Sequence, residues 1–117
     1  MDDGGMTVDE VRHLALALPQ AVEEPHFERC SFRVGGRIFA TVPPEGGTLN
    51  VMLDEEEARA AAQELTGVVE LLWWGRRLSG VQVILEQADP EDVAELLEEA
   101  WRRRAPRAAV AARDASR

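Results

Sequence analysis

The sequence predicts an α+β fold in two layers, in which helices pack on one face of an antiparallel sheet. Residues 32 to 53 contain three strand-like runs separated by two turn signals, the Gly35-Gly36 pair and the Pro- and Gly-rich residues 43 to 47. Residues 90 to 101 begin with proline and place apolar side chains at helical spacing. With 117 residues, the chain is long enough to form one domain with its own apolar core.

The expected organisation is a flexible leader at residues 1 to 6, one domain at 7 to 106 and a disordered, Arg- and Ala-rich tail at 107 to 117. Cys30 is the single cysteine, so an intramolecular disulfide is excluded. No apolar run approaches the roughly 18 to 20 residues needed to cross a bilayer, and the acidic start MDDGG is unlike a signal peptide. We therefore expect a cytoplasmic protein with no membrane partner.

The first predicted helix begins after Thr7, which has capping-box spacing to Glu10, and it ends before Pro19. Its expected buried stripe is Val11, Leu14, Ala15 and Leu18. Residues 20 to 30 show no clear periodicity and contain a proline, so they predict a connector with room for one short edge strand.

The three strand-like runs predict a register. A two-residue turn at Gly35-Gly36, with positive φ angles, aligns Phe32 with Phe39, and a five-residue loop at residues 43 to 47 aligns Phe39 with Val51. Because strand side chains alternate between faces, this register assigns every residue to a side. The predicted core face is Phe32, Val34, Phe39, Leu49, Val51 and Leu53. The predicted outward face is Ser31, Arg33, Ile38, Ala40, Val42, Thr48, Asn50 and Met52.

Two helices and two strands are predicted beyond residue 53. Asp54 and Glu57 have capping-box spacing at the start of a helix whose apolar stripe is mostly alanine. Residues 68 to 72 and residues 81 to 86 predict short strands. Asp89 is expected to cap the final helix. The apolar face of that helix is Val93, Leu96, Leu97, Ala100 and Trp101.

The charge balance argues against a general affinity for nucleic acid. The chain has 22 acidic and 13 basic residues, and its net charge of −9 opposes the release of counterions that drives most such binding. The charge is uneven, with −14 over residues 1 to 100 and +5 over residues 101 to 117. Any contact with nucleic acid should therefore use the C-terminus or local groups of arginines.

Several segments together resemble a known family. Over residues 7 to 107 the chain contains, in order, VRHLALALP, EEPHF, SFRVGGRIFAT, GGTLNVMLD, WWGRR and DVAELLEEAWRRRAP. In their order and spacing these segments resemble the MmcQ/YjbR family of small bacterial proteins. The resemblance implies a fold similar to that of CyaY, the bacterial frataxin, and it implies DNA binding through hairpins shaped like a double wing. It implies no reaction, cofactor or catalytic residue.

Residues 73 to 77 predict a nucleic-acid-binding loop, because aromatic faces stack on bases and Arg forks engage phosphate. The first hairpin and the C-terminal arginines would extend the same surface. The predicted nucleic-acid-binding residues are Arg33, Arg37, Trp73, Trp74, Arg76, Arg77, Arg102 and Arg103. A structural explanation is also open, in which one Trp fills a gap in the core, the other shields a sheet edge and the arginines are solvated.

The outward face of the sheet is the second candidate, because it is too apolar for a fully solvated surface. The residues expected to bind a ligand or partner there are Ile38, Asn50, Met52, Gln82 and Ile84. A homodimer, a partner protein or a small ligand would cover this face. The connector at residues 20 to 30 would cover it equally well.

No spacing in the chain predicts a catalytic, metal or cofactor site. His26 and Cys30 lack a second ligand pair at suitable spacing, and neighbouring carboxylates would raise the pKa of the Cys30 thiol. The glycine pairs fall in hairpin turns rather than between a strand and a helix, so they do not predict a phosphate loop. We therefore expect a binding protein rather than an enzyme.

Overall fold

A computed structural model describes residues 5 to 116. Within these residues the chain forms a six-stranded antiparallel sheet in the order β1-β2-β3-β4-β6-β5. The strands are β1 (Val22–His26), β2 (Arg29–Val34), β3 (Arg37–Val42), β4 (Thr48–Met52), β5 (Val69–Trp74) and β6 (Arg77–Ile84). With the helices described next, this sheet confirms the predicted α+β fold.

The helices cover one face of the sheet. The α-helices of the described residues are α1 (Val8–Leu16), α2 (Glu55–Glu64), α3 (Pro90–Arg104) and α4 (Arg107–Ala115). Helix α2 packs on β5 and β6, α3 packs on β3 and β4, and α1 packs on α3. The opposite face of the sheet carries no helix of the described chain, and we call it the open face.

Side-chain caps fix the start of two helices. In α1, the backbone N–H of Glu10 donates to Thr7 Oγ1 over 3.1 Å, and Thr7 N–H donates to Glu10 Oε1 over 2.8 Å. In α2, the Glu57 N–H donates to the Asp54 carboxylate over 2.8 Å. Asp89 takes the cap position of α3, but its side chain accepts no cap hydrogen bond. The predicted caps of α1 and α2 are therefore confirmed.

The predicted core is confirmed in both layers. The six residues expected on the core face of residues 32 to 53 are at most 2% exposed, and the five apolar residues of α3 are at most 5% exposed. Trp101 is fully buried, and its indole Nε1 donates to the carbonyl oxygen of Pro19 over 2.9 Å. This hydrogen bond joins α3 to the loop between α1 and the first strand.

The register of β3 differs from the prediction by one residue. Arg33 lies opposite Ile38, as the two-residue turn requires, but Phe32 lies opposite Ala40 because a β-bulge adds Phe39 to the strand. Ala40 in turn lies opposite Val51. Directly opposed residues share a face, so the prediction that Ala40 and Val42 point outward is wrong. They are 0% and 2% exposed, on the core side.

The C-terminal segment forms helix α4 where the sequence suggested disorder. The Arg113 Nε donates to Glu98 over 2.9 Å, the Arg102 guanidinium lies 2.7 Å from Asp114, and Ala109 is buried. These contacts join α4 to α3, and composition alone does not reveal them. Of the expected leader, residues 1 to 4 lie outside the described residues, whereas Met6 is buried and its N–H donates to Leu85.

The close approach of β4 and β6 at Gly80 gives a stability prediction. A Cβ on Gly80 would overlap the carbonyl oxygen of Val51 and lie 2.9 Å from the backbone nitrogen of Leu53, at a φ of +156°. We expect Gly80→Ala to lower the free energy of unfolding by about 3 kcal/mol, measured by urea denaturation. Gly67→Ala is the control, because it has no atom within 4 Å and meets only the strain of its positive φ, about 1 kcal/mol. Equal losses of unfolding free energy in the two variants would contradict the close packing of β4 and β6 at Gly80.

Candidate functional site

The open face contains a cleft of about 550 Å³. Its walls come from the β1–β2 turn at one end of the sheet, from the β2–β3 turn and β5 at the other end, and from the last residue of α3. The lining residues are His26, Phe27, Arg29, Arg33, Gly36, Arg37, Ile38, Thr41, Asn50, Met52, Leu72, Trp74 and Arg104. The cleft therefore crosses the sheet from β1 to β5.

The local sequence explains how the floor of the cleft forms. Gly35 and Gly36 have φ angles of +59° and +78°, which a two-residue hairpin turn needs and which glycine adopts without strain. Cross-strand pairing then places a polar row across the middle of the open face, where Thr41 lies opposite Asn50 and Asn50 opposite Gln82. The Gln82 amide donates to Asn50 over 3.4 Å. The floor thus combines apolar side chains with amide groups.

Positive charge is concentrated in this cleft. Four arginines and no carboxylate are among its described lining residues, although the whole chain has a net charge of −9. Acidic residues instead line a groove between α2 and α3, in the helical layer. They are Glu56, Glu57, Glu64, Asp92, Glu95 and Glu99. The protein therefore has a basic cleft on one side of the sheet and an acidic groove on the other.

Two exposed aromatic side chains flank the basic cleft. Phe27 is 93% exposed and Trp74 is 76% exposed, and both line the cleft. Phe27 has a φ of +58°, which is uncommon for a bulky residue, and its ring contacts His26 edge-to-face at 4.8 Å. The two side chains stand at opposite ends of the cleft, and exposed apolar surface at the rim of a groove is typical of a binding site.

The arginines of the cleft differ in how firmly they are held. Arg33 Nε donates to Ser31 Oγ over 3.1 Å, and the same guanidinium lies 3.4 Å from His26 Nδ1 and 3.7 Å from the Glu24 carboxylate. Arg29 and Arg37 make no ion pair within residues 5 to 116 and keep their donors available to a ligand.

Arg104 is the least satisfied cation of the cleft. Its Nε is buried and has no hydrogen-bond partner in the described part of the chain. Burial lowers the pKa of Arg104, and the positive charges of Arg103, Arg37 and Arg77 lower it further. A buried donor without an acceptor is costly, and the nearby cations add repulsion.

The structure brings part of each predicted site into this one cleft. Of the residues predicted to bind nucleic acid, Arg33, Arg37 and Trp74 line it, and of those predicted on the open face, Ile38, Asn50 and Met52 line it. Gln82 and Ile84 lie on the same face beside it. The two predicted sites therefore overlap in this cleft.

The other predicted residues lie outside the cleft. Trp73, at 45% exposed, lies opposite Leu78, while Arg76 lies in the turn between β5 and β6 and Arg77 begins β6. Arg102 pairs with Glu98 and Asp114. Arg103 faces the helical layer, with its Nε 3.9 Å from Glu57.

Sequence reasoning missed several lining residues. The connector at residues 20 to 30 forms edge strand β1, which pairs with β2 and extends the sheet instead of covering the open face. The turn after β1 places Phe27 in the lining of the cleft, and Arg29 follows at the start of β2. An aromatic residue within a polar, aperiodic stretch is the sequence signal that indicates an exposed aromatic side chain. Nothing in the sequence indicates that Arg104 lines the cleft, apart from its position in the run of arginines at the end of α3.

Cys30 is not arranged as a nucleophile. Its thiol donates to Glu23 over 2.8 Å, and burial and this carboxylate raise the pKa of Cys30 to about 11. Within residues 5 to 116, no group of three His, Cys, Asp or Glu side chains is placed to hold a metal ion. None of the described helices is both long and apolar enough to span a membrane.

The fold and the cleft define the class of this protein, a small α+β protein with a concave, basic sheet face. The YjbR family model matches residues 16–103, and the chain belongs to this family. The chain is similar in fold to the crystal structure of the Deinococcus radiodurans protein DR2400, a DUF419 domain, with a TM-score of 0.71 and 23% identity over 86% of this chain and 80% of that one. A comparison with curated proteins gave no match.

The environment of Cys30 predicts slow alkylation. With a pKa of about 11 in place of the ordinary 9.0, the thiolate fraction at pH 8 is about a hundredfold lower, so iodoacetamide should react correspondingly slowly. Glu23→Gln removes the adjacent charge and should lower the pKa and speed alkylation, whereas Glu28→Gln should not. A wild-type rate profile with its midpoint near pH 9 would contradict the assigned contact.

Proposed function

We propose that this protein is a non-enzymatic DNA-binding protein that takes single-stranded DNA into the cleft of the open face. The observation that carries the proposal is the combination in one cleft of two exposed aromatic side chains, four arginines and, among the described residues, no carboxylate. Grooves that bind single strands combine positive charge along the backbone with aromatic platforms for the bases. The DNA-binding role that the family resemblance implies agrees with this combination.

The aromatic residues favour a single strand over a duplex. Stacking on Phe27 or Trp74 needs the face of an unpaired base, which a duplex keeps inside its own stack. The apolar floor side chains Ile38, Met52 and Leu72 are suited to the same flat surfaces. Because every base has a π-face, we expect little sequence preference beyond hydrogen bonds to Asn50 or Thr41.

The segregation of charge explains how DNA would bind despite the net charge. The acidic groove of the helical layer repels the phosphate backbone, so the strand approaches from the side of the open face. Arg29, Arg33 and Arg37 then pair with phosphates and release counterions, which makes the affinity depend strongly on salt.

The second candidate function is the binding of a small anionic ligand in the same cleft. Its volume of about 550 Å³ lies within the range typical of small-molecule sites, and the floor has few polar groups among apolar ones. A homodimer through this face is less favoured, because a symmetric contact would bring two sets of arginines together.

Fluorescence anisotropy with a labelled oligothymidine of about 12 nucleotides tests the proposal at about 50 mM salt. The double variant Arg33→Ala/Arg37→Ala should bind about tenfold more weakly or worse, because two phosphate contacts are lost. Arg59→Ala is the matched control, since Arg59 lies on α2 in the helical layer and pairs with Glu55. It should leave the affinity unchanged.

Undetectable binding of wild-type protein at this salt concentration would refute DNA binding. Equal losses in the cleft variant and in Arg59→Ala would place the binding outside the cleft. Saturable binding of a mononucleotide without binding of the oligonucleotide would favour the small-ligand function.

A further inference from the structure

Three arginines lie at one end of the sheet, the end that carries the β2–β3 turn, the β5–β6 turn and the C-terminus of α3. Arg37 begins β3, Arg77 begins β6, and Arg104 is the last residue of α3. Arg104 lines the cleft beside Arg37. We call Arg37, Arg77 and Arg104 the arginine triad.

Chain packing brings the end of α3 to the β2–β3 turn independently of any ligand. A Cβ on Gly35 would lie 3.4 Å from the ring of Pro106, so the end of α3 rests against the β2–β3 turn. The charges of Arg37 and Arg77 are close enough to Arg104 to lower its pKa. The fold therefore places Arg104 close to the turn that precedes Arg37 and within electrostatic reach of Arg77.

The triad lacks the acidic partners that other arginines of this protein have. Arg12, Arg59 and Arg113 each pair with a carboxylate within 3.0 Å. By contrast, no member of the triad makes an ion pair with any residue between 5 and 116, and the buried Nε of Arg104 has no acceptor. Grouping unpaired cations and burying a donor both oppose folding, and a bound anion would offset both costs.

We propose that the arginine triad is a binding site for a phosphate group. Guanidinium groups donate forked hydrogen bonds whose geometry matches the oxygens of phosphate, and three cations suit a group with up to two negative charges. A halide would leave the forked donors poorly matched, and a carboxylate would offer only two oxygens to three guanidinium groups.

The triad lies next to the exposed face of Trp74. Trp74 is the cross-strand partner of Arg77, and Trp74 and Arg104 line the same cleft. A base stacked on Trp74 would thus have its phosphate close to the triad. The phosphate could belong to a DNA backbone, to the 5′ end of a strand or to a free nucleotide. The site does not rest on the proposed function, because inorganic phosphate shares the chemistry that it recognises.

Titration with inorganic phosphate, followed by NMR of the arginine Nε–Hε signals at constant ionic strength, tests the site directly. We expect a saturable shift of the Arg104 signal with phosphate and none with chloride. Arg104→Lys keeps the charge but removes the Nε donor, and Arg77→Ala changes an exposed residue at the start of β6 that the core does not need. Each variant should weaken phosphate binding about tenfold. Because Arg104→Lys lacks the Nε–Hε signal, its phosphate binding is followed through the backbone amide signals of residues 36 and 37. Arg59→Ala should have no effect.

Comparing the binding of oligonucleotides with and without a 5′-phosphate distinguishes the possible sources of the phosphate group. Tighter binding of the phosphorylated strand, abolished by Arg77→Ala, would assign the triad to a strand end. Equal binding of both strands, weakened by Arg77→Ala, would assign it to backbone phosphate.

Failure of the phosphate site and failure of DNA binding are distinguishable. The absence of a saturable phosphate shift in wild-type protein would overturn the site, as would unchanged phosphate affinity in both triad variants, even if DNA still bound. Phosphate binding that depends on the triad, with no binding of any oligonucleotide, would support the site and refute the DNA-binding function.

Discussion

The bulge at Phe39 determines which side chains lie on each face of the sheet. Because one extra residue enters β3, Phe39 and Ala40 are both fully buried in the core. Closer to the turn, Arg33 and Ile38 remain opposed on the open face, and beyond the bulge Thr41 takes its place opposite Asn50. Without the bulge, the side chains of one half of β3 would point to the opposite face of the sheet. The apolar core and the floor of the basic cleft therefore depend on the same local irregularity.

The second organising feature is the separation of charge between the two layers. Acidic residues begin α2, where the helix dipole favours them, and they continue along α3. Their crowding has a cost, because burial and the neighbouring carboxylates raise the pKa of Glu57 and of Glu99. On the open face, Arg29, Arg37 and Arg104 make no ion pair within the described chain, and Arg33 has only the Glu24 carboxylate at 3.7 Å. A protein with a net charge of −9 thus has a basic cleft on its open face.

Much of this fold is predictable because it follows from local patterns. The apolar face of α3, the caps at Thr7 and Asp54 and the turn at Gly35-Gly36 all depend on residues within a few positions of each other. The bulge is different, because it appears only in the pairing of β2 with β3 and no local residue marks it. Likewise, α4 is stabilised by ion pairs to α3. The sequence indicated two surfaces, but only the folded sheet brings their residues into one cleft.

Mapping of backbone NMR shifts during titration with single-stranded DNA shows whether the open face is the binding surface. We expect saturable changes at the amides of Thr41, Asn50 and Met52, together with a shift of the Trp74 indole signal. The amides along the acidic groove between α2 and α3 should not change. Saturable changes confined to the helical layer, or no changes anywhere at low salt, would rule out binding at the open face.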